Sequence, residues 1–128
     1  MAAPRHILVI DDDPMMRSSL RTVLEGKGYA VDTLPDGRRA LATVEETQPD
    51  AVITDIVMPE SEGIETIVAI RRVAPHLPII AISGGGQILE AEFLGMALQL
   101  GATAALRKPF ELAELLATLQ RLLNVPSG

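Results

Sequence analysis

Ala51-Val52-Ile53-Thr54-Asp55-Ile56-Val57-Met58-Pro59 is the stretch that decides the fold. It opens as a short apolar run rich in β-branched residues, which reads as a buried strand. The run ends on a carboxylate, Asp55, and Met58-Pro59 then stops it, because proline supplies no N–H to a ladder. In a parallel α/β sheet, ligands bind beyond the carboxyl ends of the strands. Asp55 is therefore expected at the mouth of a cleft.

Working outward, the same grammar recurs. Ile7-Leu8-Val9-Ile10 is apolar without alternation, as for a strand covered on both faces. Asp13 suits an N-cap with Pro14 at the first helical position, and Met16, Leu20, Val23 and Leu24 then share one face up to Gly26 or Gly28. Tyr29 to Leu34 reads as a second strand and Pro35-Asp36-Gly37 as a turn. Ala40, Leu41 and Val44 mark a second helix. A third, over roughly Gly63 to Val73, buries Ile64, Ile67 and Val68. Strand four is Ile79 to Ile82, and after Ser83-Gly84-Gly85-Gly86 a fourth helix carries Leu89, Phe93, Met96, Ala97 and Leu100. A short fifth strand, Thr103 to Leu106, leads to Arg107-Lys108-Pro109-Phe110. The last helix spaces Leu112, Leu115, Leu116, Leu119, Leu122 and Leu123 helically. Strands alternating with helices predict an α/β fold with a parallel five-stranded sheet. We expect one domain over 1–128, with a core from about 5 to 123 and a tail over 124–128.

Composition narrows the function. With 128 residues, 48% hydrophobic, the chain has ample material for a core. Aromatics are only 2% and the net charge is −6, which disfavours direct nucleic-acid binding and favours cations or cationic partners. There is no cysteine, so neither a disulfide nor a thiolate metal site forms. No apolar run has membrane-spanning length and the N-terminus lacks the pattern of a secretory signal, so a cytoplasmic location is expected.

The chemistry gathers at strand ends. Strand one runs into Asp11-Asp12-Asp13, strand three into Asp55, strand four into Ser83 and strand five into Lys108. Neighbouring carboxylates raise one another's pKa unless a cation neutralises them. An all-oxygen donor set suits Mg²⁺. A carboxylate beside that ion can serve as a nucleophile toward phosphorus, with Lys108 and the Ser83 hydroxyl placed for the phosphoryl oxygens.

Together, Ile10-Asp11-Asp12, Asp55 with Met58-Pro59, Ser83-Gly84 and Lys108-Pro109-Phe110 resemble the receiver domain of two-component response regulators (CheY-like), over nearly the whole chain. The resemblance implies a flavodoxin-like fold of strand order 2-1-3-4-5. It implies that Asp55 accepts a phosphoryl group from a histidine kinase or a histidine phosphotransfer protein. Asp11, Asp12, Asp55 and the Val57 carbonyl would hold Mg²⁺, Asp11 partly through water. Ser83, the Gly84 amide and Lys108 would face the phosphoryl group, and the Lys108–Pro109 bond would be cis. Signal would leave through the face of helix four, strand five and helix five to a downstream protein, from a monomer or a phosphorylation-dependent dimer. Such a chain is no metabolic enzyme; it catalyses only its own phosphoryl transfer and slow autodephosphorylation.

Three departures stand out. Ala105 occupies the place where relatives carry a switching Tyr or Phe, so aromatic rotation is not the output here. The segment from Ser83 to Gly101 is a few residues longer than in chemotaxis-type relatives, and the glycine run suggests a mobile loop absorbing the difference. Val57 and Gly85 lie where relatives often place polar side chains, which predicts slow hydrolysis of the acyl phosphate. Competing readings are a degenerate receiver acting as a protein-binding adaptor, a receiver fragment of a longer regulator with an output domain, and a Mg²⁺-dependent phosphatase built on Asp11-x-Asp13. The last wants Thr or Val where Met15 stands. His6 and His76 read as lone surface histidines, and Arg38-Arg39 and Arg71-Arg72 as solvated helix charges.

Overall fold

A computed structural model describes residues 4–56, 63–83 and 90–124. The chain runs β1 (His6–Ile10), α1 (Pro14–Gly26), β2 (Ala30–Leu34), a 3₁₀ turn (Gly37–Arg39), α2 (Ala40–Thr47), β3 (Ala51–Asp55), α3 (Gly63–Val73), β4 (Ile79–Ser83), α4 (Glu90–Leu100), β5 (Ala104–Arg107) and α5 (Leu112–Leu123). All four strand pairings are parallel, in the order β2-β1-β3-β4-β5. The flavodoxin-like α/β architecture expected from the sequence is the one found.

The absence of alternation in β1, β3 and β4 has its cause in two cores, one on each face of the sheet. Leu8, Ile10, Val52, Ile79 and Ala81 point one way and pack with Ala40 and Val44 of α2, Ile67 and Ile70 of α3 and Ala97 of α4. Ile7, Val9, Ile53, Ile80, Ile82 and Leu106 point the other way, onto Leu20 and Leu24 of α1 and Leu115 and Leu119 of α5. α1 starts as anticipated: the Asp13 carboxylate accepts from the Met15 amide at 2.9 Å and Pro14 opens the helix.

Several side chains expected in the core lie outside it. Leu41, Met96, Leu100 and Leu112 are exposed, and Ile64 and Val68 are half-buried, while Thr66 and Ile70 of α3 are buried in their stead. Helical spacing fixes which residues share a face but not how wide the covered stripe is, and this sheet covers only its centre. Pro35-Asp36-Gly37 leads into the 3₁₀ turn, whose amide at Arg38 is capped by the Asp36 carboxylate. Leu89 and the glycine run Gly84-Gly85-Gly86 fall outside the described residues, as does the expected tail over 125–128.

Two assignments of surface charge are corrected. His6 is half-buried in β1, its ring Nε2 lying 2.7 Å from an Asp32 carboxylate oxygen on β2. Arg71 is no free helix charge: its guanidinium donates twice to the Gly101 carbonyl, at 3.1 and 2.6 Å, and once to the Ala74 carbonyl, at 2.9 Å. It thereby ties the C-terminal ends of α3 and α4 together, and burial pushes its pKa down.

Candidate functional site

The sheet's hydrogen bonding does not stop where the strands do. The Asp11 amide donates to the Leu34 carbonyl (3.1 Å), the Ile56 amide to the Ile82 carbonyl (2.9 Å) and the Lys108 amide to the Ser83 carbonyl (2.7 Å). The residues at the carboxyl edge are therefore held by sheet pairing even though they open the connecting loops. The Thr54 hydroxyl adds a donor to the Asp55 carbonyl at 3.0 Å.

Within this frame, carboxylate oxygens of Asp11, Asp12 and Asp55 lie within 4.8 Å of one another. Asp11 and Asp55 are buried, at 1% and 5% exposure, while Asp12 faces solvent. Lys108 Nζ stands between the two buried acids, 3.1 Å from Asp11 Oδ2 and 3.3 Å from Asp55 Oδ2. Asp11 Oδ1 accepts from the Asp13 amide at 2.9 Å, which fixes the carboxylate's orientation, and the Arg17 guanidinium donates to the Asp11 carbonyl at 2.6 Å. Burial alone would lower the Lys108 pKa. The charge of Asp55, followed by the hydrogen bond and charge of Asp11, outweighs it and holds the amine above the ordinary lysine range. The lysine is thus a fixed positive charge at the rim of an acidic pocket. The Lys108–Pro109 bond is cis, as anticipated.

Ser83 completes the described part of the site. It is fully buried at the end of β4, and its Oγ has no hydrogen-bond partner among the described residues. A buried hydroxyl without a partner is costly, so it is a group waiting for one. Of the residues singled out from the sequence, Asp11, Asp12, Asp55 and Lys108 converge on one pocket, with Ser83 at the neighbouring strand end. Val57 and Gly84 lie outside the described residues. Sequence reasoning passed over Arg17 and Thr54, which act here on main-chain carbonyls at the strand ends.

The donor set matches a hard divalent cation: three carboxylates, oxygen only, two buried and one open to water. Five parallel strands in this order, with an acidic cluster and a lysine at the carboxyl edge, define a doubly wound α/β module with its charged groups where such folds bind ligands. A family model described as "response regulator receiver domain" matches residues 7–120. The chain belongs to that family. It is 40% identical over 121 residues to the response regulator MprA of Mycolicibacterium vanbaalenii, across 94% of this chain and 51% of that protein. It thus spans about half the length of the curated relatives it matches. Among solved structures, a response regulator from Chloroflexus aurantiacus superposes with a TM-score of 0.86 at 31% identity, covering 95% of this chain and 99% of that one. The Vibrio cholerae chemotaxis protein CheY4 gives 0.83 at 34% identity, covering 94% and 99%. The chain is thus a response regulator receiver domain, the kind of module found in two-component systems. Among the described residues no helix is long and apolar enough to cross a membrane.

Proposed function

We propose that the chain, as a single receiver domain over 1–128, is a phosphorylation-driven switch whose acceptor is Asp55. The observation that carries this reading is Lys108 Nζ held between Asp11 and Asp55 inside a cluster of three carboxylates. An Asp55 oxygen attacks the phosphorus of a phosphohistidine on the kinase or phosphotransfer protein; the P–N bond breaks and its electron pair returns to the imidazole. Asp11, Asp12 and Asp55, with the Val57 carbonyl, would hold Mg²⁺, which supplies charge neutralisation for the transferring group. Lys108 exchanges its contact with the Asp55 carboxylate for the new phosphoryl oxygens, and the Ser83 hydroxyl and Gly84 amide donate to them. The redistribution biases the face of α4, β5 and α5 between two arrangements and so alters its fit to a downstream protein. With Ala105 in β5, an aromatic rotation is not part of that change. The acyl phosphate is long-lived, since neither Val57 nor Gly85 has a side chain able to hold the attacking water.

Beryllofluoride with Mg²⁺ tests the reading, because it mimics the acyl phosphate without turnover. Stoichiometric binding is expected, with amide shifts at Ser83 and in β5, and none after Asp55→Asn. A chain that ignores beryllofluoride is instead a binding adaptor that has lost its switch. Decay of the acetyl-phosphate-labelled chain within seconds would contradict the slow hydrolysis.

A further inference from the structure

Gly63 opens α3, and nothing about its backbone angles requires glycine: the glycines with left-handed φ among the described residues are Gly28 and Gly101. Space requires it. A Cβ at position 63 would fall 2.3 Å from the Ile56 Cα, 2.4 Å from the Asp55 carbonyl oxygen and 3.0 Å from the Ile56 carbonyl carbon. All three are main-chain atoms and none can swing aside. The two nearest, the Ile56 Cα and the Asp55 oxygen, belong to the peptide joining Asp55 to Ile56, which is also held from β4 by the Ile56 amide bond to the Ile82 carbonyl and from within β3 by the Thr54 hydroxyl. Gly63 is itself buried, and four residues later Ile67 anchors α3 in the core at 0% exposure. The chain therefore leaves β3 and returns at the head of α3 to press on the peptide it left. By contrast, a Cβ at Gly26 or Gly95 meets nothing within 4 Å.

We propose that Gly63 is a positioning residue for Asp55: main-chain contact at the head of α3 sets where the acceptor carboxylate stands relative to Lys108 and Asp11. This rests on Asp55 being the acceptor. An added methyl must displace either α3, which is fixed by its buried face, or the Asp55–Ile56 peptide, and a shift of that peptide carries the carboxylate with it. Near-attack geometry tolerates little displacement, so the effect falls on the rate of phosphoryl uptake.

The test places Gly63→Ala in a Gly26→Ala/Gly95→Ala background. Both background changes add methyls in open helical positions and favour folding. Uptake of phosphate from acetyl phosphate with Mg²⁺ is followed by intact mass. Rates are normalised to the folded fraction from circular dichroism, with trimethylamine N-oxide added to keep the variant folded. Uptake at least tenfold slower than the background is expected, together with displaced Asp55 and Ile56 amide resonances in the metal-free protein. Ile70→Val, which loosens the same helix away from Asp55, should stay within twofold of the background. Uptake within twofold for Gly63→Ala, undisplaced amides, or an equal loss in Ile70→Val would each overturn the inference. A wild-type chain that takes up no phosphate overturns the acceptor reading, and this inference with it. A wild-type chain that does, beside an equally fast Gly63→Ala variant, overturns only the inference.

Discussion

Lys108 illustrates how a single side chain can hold an acidic pocket together. Its amine lies between two acids that are 1% and 5% exposed and donates a hydrogen bond to each. Replacing it by methionine keeps the stem but leaves the acids facing one another. In EDTA, Lys108→Met is expected to cost about 1–3 kcal/mol, the range for losing charged hydrogen bonds at a partly buried site. Added Mg²⁺ should shrink that deficit, because a divalent cation replaces the missing charge; urea unfolding with and without the ion reads both. The pH dependence has a definite sign. The folded-state pKa of Lys108 lies above its unfolded value, so its contribution is complete below the unfolded lysine value and is lost as pH rises through the folded one. Wild type should therefore lose stability in the alkaline range beyond ordinary lysine titration, and Lys108→Met should lack that part of the decline. Urea midpoints taken across that range would show it. The aspartates, serine and lysine of the site could be read in the chain because carboxylates at strand ends announce themselves. Their contacts could not: Lys108 and Asp11 meet across 97 positions, a relation that only the strand order creates.

At the scale of elements, strands and helix starts were legible and helix faces were less so. β1, β3 and β4 advertise themselves by unbroken apolar runs, and α1 by Asp13-Pro14. The exposed Leu41, Met96, Leu100 and Leu112 look like core residues from spacing alone, but the sheet is too narrow to cover them. Arg71 hid more completely, since the carbonyls it serves belong to the ends of two helices. Arg71→Ala is expected to cost about 1–2 kcal/mol, because it strips charged donors from the Gly101 and Ala74 carbonyls. Arg71→Lys should recover little, as one ammonium cannot reproduce the guanidinium fork. Asp13→Ala, by removal of the α1 cap, should cost about 1 kcal/mol. Chemical denaturation measures each.

For the whole molecule, the central fact is one sheet serving two cores. Leu119 of α5 packs on one face and Ile70 of α3 on the other, both fully buried. Leu119→Ala should cost about 2–5 kcal/mol and Ile70→Val about 0.5–1.5 kcal/mol. With a sheet between them, their effects should add to within about 0.5 kcal/mol. Unfolding should stay a single transition by far-UV and tyrosine signals alike, because β1, β3 and β4 belong to both cores. Separate transitions for the two faces would contradict this account.

The long span between Asp11 and Lys108 has a consequence for the protein's life before it is finished. A chain still on the ribosome, or one clipped ahead of β5, has its acids but not the amine that stands between them, nor the last strand that would present it. Such a fragment has no complete pocket. A complete pocket thus doubles as proof that synthesis reached the end of the sheet.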